Sequence, residues 1–172
     1  MRSFCRKGYW MLSVSVSPVL VAISYLFYLH KKSGIVGLSL WPVLLVITPP
    51  GLLIMAMLHA GNTRDMLQDK EGGIRTRAMK MGLEGSQIAY QTLLLVAYLL
   101  ITIMVMIQML DSWVFLVLLS FPLAIKNLKL MKRATMDDLG IIRFLDTYTA
   151  RLVLIFSLLM VAGNLIASLT YD

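Results

Sequence analysis

A polar segment between two long apolar runs carries the residues of this sequence whose types and spacing could do chemistry. Asn62, Asp65 and Asp69 follow one another at steps of three and four residues, the spacing that places side chains along one face of an α-helix. Two carboxylates one helical turn apart repel each other unless a cation lies between them. Mg²⁺ suits this position because it prefers oxygen ligands, takes one or two protein carboxylates and completes its shell with water and phosphate oxygens. The spacing therefore predicts a metal site that also receives an anion.

Glycines and cations follow the acidic pair in the same segment. Gly72 and Gly73 are expected to end the helix and to allow a backbone turn, since glycine adopts the left-handed conformation without steric cost. An anion held by the metal would then meet guanidinium and ammonium groups, which form charge-assisted hydrogen bonds with phosphate. The cations that follow the turn are Arg75, Arg77 and Lys80.

A plainer interpretation of the acidic pair stays open. Asp65 and Asp69 would then be surface carboxylates of an ordinary loop, because two acids four residues apart are common by chance. Their position at the membrane end of an apolar run favours the functional interpretation, since charge near bilayer depth is costly and tends to be retained for function. In the plainer interpretation the two carboxylates pair with their neighbours Arg64, Lys70 or Arg75.

The composition is that of a membrane protein. Of the 172 residues, 59% are hydrophobic and only 15% are charged, and the mean hydropathy is +0.80, far from the averages of soluble domains. The net charge of +7 does not indicate a nucleic-acid partner, because the basic residues fall between apolar runs and not in one stripe.

Five apolar runs predict an all-α integral membrane bundle of about five transmembrane helices in a single domain over residues 1–172. Pro49 and Pro50 are expected to break or bend the second helix near its middle, because proline removes a donor and clashes one turn back. The fourth run is short and reaches the interface only if Lys126 and Lys129 snorkel. The predicted spans are 8–29, 34–58, 85–110, 113–125 and 152–171.

The distribution of cations predicts the orientation of the bundle. Five spans put the amino terminus and the connections 59–84 and 126–151 on one side, and these carry fourteen of the sixteen lysines and arginines. Positive charge is enriched in cytoplasmic loops. The polar segment is therefore expected to face the cytoplasm.

Residues 59–76, reading HAGNTRDMLQDKEGGIRT, resemble the second aspartate-rich motif of the UbiA superfamily of intramembrane prenyltransferases. The resemblance is closest to the branch that prenylates 1,4-dihydroxy-2-naphthoate in menaquinone synthesis and to its animal relative that makes menaquinone-4. Flanking residues extend the resemblance over most of the chain. They are PPGLLI at 49–54, a tyrosine and a leucine at positions 90 and 94, and TARL at 149–152.

The resemblance implies an enzyme that transfers a polyprenyl group from a prenyl diphosphate, bound through Mg²⁺, to an aromatic, naphthoate-like acceptor at the mouth of a helical bundle in the lipid bilayer. By the same carry-over, Asp65 and Asp69 are the catalytic residues that ligate Mg²⁺. The diphosphate-binding residues are Asn62 and Arg75, with Arg64 and Lys70 as further candidates.

The sequence also departs from this family's pattern. Members have about nine helices, as their length allows, and two aspartate motifs, whereas the first 58 residues here contain no Asp, Glu or Asn. The chain therefore resembles the C-terminal half of such an enzyme, and a second chain carrying the first motif is an expected partner. The alternatives are a non-catalytic membrane scaffold or degenerate relative, and a small transporter.

Overall fold

The computed structural model describes residues 2–33 and 40–170, with the side chains of 16–32 and 41–170. Every regular element in these two ranges is a helix, which confirms the predicted all-α class. In chain order the helices are α1 Arg2–Ser33, α2 Leu40–Arg64, α3 Met66–Glu71, α4 Arg77–Met106, a 3₁₀ helix Ser112–Ser120, α5 Phe121–Arg133, a second 3₁₀ helix Leu139–Ile142 and α6 Leu145–Leu169.

Four segments of the described chain are long and apolar enough to cross a membrane, so the chain is a multi-pass membrane bundle. The predicted span 8–29 falls within α1, but the side chains of residues 8–15 lie outside the described residues. The start of the second predicted span, 34–39, and the last residue of the fifth, 171, lie outside them as well. The four segments are Trp41–Arg64, Arg77–Met106, Ser112–Arg133 and Leu139–Leu169.

Helix α6 lies at the centre of the bundle and packs against α1, α2, α5 and the first 3₁₀ helix. Its Leu152, Phe156 and Met160, spaced one helical turn apart, are fully buried. Helix α4 packs against α2 on another side, with Tyr90, Leu94 and other residues of its inner face buried. This arrangement brings the end of α2, the start of α4 and the start of α6 together.

Helix α2 continues through Pro49 and Pro50, so of the predicted break or bend the break does not occur. Both prolines are buried. Packing against neighbouring helices lets membrane helices tolerate proline. The helix instead ends at Arg64, one residue before the first predicted carboxylate.

The fourth predicted span is longer than its apolar run suggested. It combines nine residues of 3₁₀ helix with the thirteen residues of α5. A 3₁₀ helix rises about 2.0 Å per residue and an α-helix about 1.5 Å, so the two together reach roughly 38 Å. That length exceeds the ~30 Å hydrocarbon core, and the last turns of α5, which carry the lysines, reach the interface.

Gly163 allows α6 to approach the first 3₁₀ helix closely. A Cβ at this position would lie 2.8 Å from both the carbonyl oxygen of Trp113 and the Cα of Val114. We expect Gly163→Ala to lower the free energy of unfolding by about 1–2 kcal/mol, because the clash is with backbone that must shift. Denaturant titration in mixed micelles measures this effect. Gly51→Ala, where a Cβ meets nothing within 4 Å, is the matched control, and an equal loss in both variants would contradict the close-packing argument.

Candidate functional site

The candidate site lies at one end of the bundle, where several helix ends meet. Arg64 at the end of α2 contacts Arg143 and Asp146 at the start of α6. On the neighbouring side, the amide of Gln87 in α4 donates at 3.0 Å to two carbonyls at the end of α5, those of residues 131 and 134. The polar connections 59–84 and 126–151 therefore share one end of the molecule, which we call the polar end.

The backbone keeps Asp65 and Asp69 one helical turn apart. Asp65 separates α2 from α3, with dihedral angles φ −89° and ψ 5° that lie in the bridge region outside the α-helix. Its amide donates to the carbonyl of Gly61 at 3.1 Å, and the amide of Asp69 donates to the carbonyl of Asp65 at 2.8 Å. The four-residue hydrogen-bonding pattern thus continues across the junction, and the spacing seen in the sequence survives in the structure.

Glycine ends α3 as the sequence predicted. Gly73 has a φ of +68°, and its amide donates to Lys70 at 3.3 Å while the amide of Ile74 donates to Asp69 at 2.9 Å. This pair of bonds around a left-handed residue is a Schellman motif. The chain then enters α4, whose first turn is capped by the hydroxyl of Thr76 accepting from Met79.

The Arg64 guanidinium forms a bidentate ion pair with the Asp65 carboxylate. Its Nε and Nη2 donate to the two carboxylate oxygens at 2.6 and 2.7 Å, and its Nη1 donates to Asp146 at 2.6 Å. The Arg64 side chain is 18% exposed, and its charge-assisted bond to Asp146 holds the end of α2 against the start of α6. Asp65 therefore forms the ion pair with Arg64 that the plainer interpretation predicts. Asp69 forms no ion pair with another described residue.

Asp146 is the residue of this cluster that the sequence analysis did not find. It lies 82 positions from Arg64, in the first turn of α6, and no spacing rule connects the two. Its carboxylate also accepts from the backbone amide of Thr147 at 2.8 Å. An acid just before a long apolar run was the only available signal, and that signal is typical of any helix start.

The remaining predicted site residues have no partner inside the described part of the chain. Asp69 is half-buried, and its carboxylate forms no ion pair or hydrogen bond with another described side chain. The others are exposed and equally without such bonds, which leaves their polar groups available to a ligand. They are Asn62, Lys70 and Arg75.

The carboxylate oxygens at this end of α2 fit Mg²⁺ better than a metal ion whose ligands must all come from the protein. No group of three or more His, Cys, Asp and Glu side chains with metal-binding geometry occurs among the described residues. Mg²⁺ requires no such group, because it retains several waters and uses substrate phosphate oxygens alongside one or two carboxylates. Asp69 offers an unpaired carboxylate, and Asp65 offers a second one on turning away from Arg64.

Buried polar contacts fix the start of α4 behind the acidic pair. His59 is 8% exposed, and its Nε2 lies 3.2 Å from the carbonyl oxygen of Ser86. This contact packs His59 of α2 against α4. Gly82 interrupts α4 with φ +70° and ψ 178°, so the first turns of α4 are set off from its membrane-crossing part.

Two buried tyrosines of α4 are tied to other helices. The Tyr90 hydroxyl lies 2.7 Å from the Thr149 hydroxyl on α6, and the Tyr98 hydroxyl lies 2.6 Å from that of Ser120. Both tyrosines are at most 7% exposed. These hydrogen bonds hold both tyrosines against neighbouring helices, so their side chains have a packing role.

The described residues form a multi-pass helical membrane protein. At one end of its bundle lie two carboxylates one helical turn apart and cations without an ion-pair partner among the described residues. Over 97 residues, 56% of this chain, it is 35% identical to the UbiA prenyltransferase domain-containing protein 1 of Mus musculus. It is 29% identical to that of Ailuropoda melanoleuca over 160 residues, 93% of this chain. It is 31% identical over 86 residues, 50% of this chain, to the 1,4-dihydroxy-2-naphthoate octaprenyltransferase of Bacillus subtilis (strain 168).

These similarities support the resemblance of the chain to the UbiA superfamily of membrane prenyltransferases. The matches cover 27%, 43% and 28% of the three relatives, so the chain spans less than half of their length. No family model and no solved structure matches the chain.

Proposed function

We propose that this chain takes part in the Mg²⁺-dependent transfer of a polyprenyl group from a prenyl diphosphate to an aromatic, naphthoate-like acceptor in quinone synthesis. The observation that carries the proposal is the pair Asp65 and Asp69, held one helical turn apart at the polar end of a bundle in a UbiA homologue. The name of the Bacillus subtilis relative supports a naphthoate acceptor. We further propose that a second chain supplies the other aspartate motif of the family.

Each polar residue near the pair has a defined part in this proposal. Mg²⁺, when bound, neutralises negative charge on the diphosphate and so makes it a better leaving group. Asp69 holds the metal with its unpaired carboxylate, and Asp65 contributes the second one. The exposed Arg75 and Lys70 place positive charge where the diphosphate gains negative charge as the carbon–oxygen bond breaks, and the Asn62 amide offers a hydrogen bond to its oxygens.

Arg64 positions Asp65 in this arrangement. The guanidinium binds both oxygens of Asp65 and one oxygen of Asp146. Because Asp146 keeps one side of the guanidinium paired, Asp65 can turn toward a cation without leaving Arg64 unpaired. Arg64 then presents its freed donors to the same region, in keeping with its prediction as a further diphosphate ligand.

We place the polar end on the cytoplasmic side. The cation-rich connections 59–84 and 126–151 meet at that end through the contacts of Arg64 with residues 143 and 146. Together with the amino-terminal residues they carry fourteen of the sixteen lysines and arginines, the bias that sets membrane orientation.

The function is tested by a transferase assay on membranes that contain this chain. Prenylated product should form from a prenyl diphosphate and 1,4-dihydroxy-2-naphthoate when a chain carrying the first aspartate motif is co-expressed, and excess EDTA should abolish it. Membranes containing the complementing chain alone are the control for its own activity. Absence of product in every combination would contradict the proposal and favour the scaffold alternative.

A further inference from the structure

A shallow, open groove lies along one face of α5. Its volume is about 310 Å³. All of its lining residues lie on α5, so the groove follows one helix from the membrane toward the polar end. They are Pro122, Ile125, Lys126, Lys129, Leu130 and Arg133, and we call this surface the α5 groove.

Three cations project along the α5 groove. Lys126, Lys129 and Arg133 are exposed and follow one another at steps of three and four residues, which places them on one helical face. Helix α5 contains no Asp or Glu, and within residues 40–170 no carboxylate forms an ion pair with any of the three. The Lys126 ammonium lies 5.8 Å from the centre of the Tyr148 ring. The groove thus presents concentrated positive charge that the described chain does not neutralise.

Along α5 the groove begins with the apolar Pro122 and Ile125 and continues with the three cations, with Leu130 between the last two. The membrane-crossing segment Ser112–Arg133 ends at the last cation, and Pro122 and Ile125 lie deeper, up to about 16 Å away at ~1.5 Å per residue. An amphiphile with an acyl chain beside the apolar wall and a phosphate among the cations matches this order. A free phosphate would leave the apolar wall without a role.

We propose that the α5 groove binds an anionic phospholipid, with its phosphate held by Lys126, Lys129 and Arg133. Basic residues at the interface attract anionic lipid by about 1 kcal/mol each, and the apolar wall adds the acyl-chain contact that a soluble anion lacks. The lining residues of the groove are all on α5, whereas Asp65 lies at the α2–α3 junction and Asp69 in α3, and the proposal does not depend on the proposed transferase function.

The test compares two lysines of the same helix. The purified full chain is titrated with phosphatidylglycerol or phosphatidylcholine in detergent, and bound lipid is counted by native mass spectrometry. Lys129→Gln should weaken phosphatidylglycerol binding about fivefold. Lys132→Gln, which removes the same charge from an exposed position that does not line the groove, should leave it unchanged. The triple variant at positions 126, 129 and 133 should weaken binding on the order of a hundredfold.

Three outcomes would overturn the proposal. Equal losses in Lys129→Gln and Lys132→Gln would mean diffuse surface attraction instead of a site. Equal binding of phosphatidylcholine and phosphatidylglycerol would remove the role of lipid charge. Displacement of phosphatidylglycerol by an equal concentration of inorganic phosphate would assign the cations to a soluble anion. Should the triple variant fail to fold, the two single variants decide the question.

Discussion

Replacing Asp69 with asparagine should weaken Mg²⁺-dependent binding of a prenyl diphosphate at least about tenfold, equivalent to ~1.4 kcal/mol. Asparagine keeps the size of the side chain and one oxygen but removes the negative charge that a hard cation requires. Because Asp69 forms no ion pair with a described residue, its loss should leave stability unchanged. Equilibrium binding of a labelled prenyl diphosphate, measured with Mg²⁺ and with excess EDTA, reports the effect.

Asp137→Asn is the matched control for this variant. Asp137 is an exposed acid of the connection 126–151, so its replacement removes the same charge from the polar end without touching the acidic pair. Its binding curve should overlie that of the unmodified protein. An equal loss in Asp69→Asn and Asp137→Asn would mean that only the overall charge of the polar end matters, and the assignment of Asp69 as a ligand would be wrong.

Replacing Arg64 with glutamine should lower the free energy of unfolding by about 2–3 kcal/mol, because three charge-assisted hydrogen bonds are lost and two carboxylates lose the guanidinium charge. The expected loss of stability is smaller than for a fully buried ion pair, since the Asp65 side chain is 38% exposed and water screens its charge. Denaturant titration in mixed micelles measures the loss. Asp146→Asn, which removes one of the three bonds, should cost less.

Arg75→Gln separates the role of Arg64 from a general effect of removing an arginine. Arg75 is exposed, so its replacement should change stability by no more than about 0.5 kcal/mol while weakening prenyl diphosphate binding. A double variant of Arg64 and Asp146 should lose less than the two single losses added together, because the residues share a bond. Strict additivity would contradict the coupling of α2 to α6 through this pair.

Local features of the site could be predicted from the sequence because they depend on residues that are neighbours along the chain. The spacing of Asp65 and Asp69 survives because helical hydrogen bonds continue across their junction. Gly73 was expected to end the helix, and it adopts the left-handed conformation that glycine permits. The long apolar runs likewise predicted the membrane-crossing helices, since their length alone decides whether they can span.

Features that depend on packing between distant segments could not be predicted. The link from Arg64 to Asp146 joins positions 82 residues apart, and no local pattern encodes it. The prolines of α2 were expected to break or bend a helix that continues through them unbroken, because propensity rules omit the support of neighbouring helices. The bend at Gly82 was also missed, since a single glycine in a helical pattern gives only a weak signal.

The central claim is that Asp65 and Asp69 hold a prenyl diphosphate through Mg²⁺, and one binding experiment tests it most directly. The purified chain and its double variant Asp65→Asn, Asp69→Asn are titrated with a labelled prenyl diphosphate in Mg²⁺ and in excess EDTA. We expect saturable binding by the unmodified chain in Mg²⁺ but not in EDTA, and no binding by the double variant in either condition. Binding that persists in the double variant, or that is equal in Mg²⁺ and in EDTA, would contradict it.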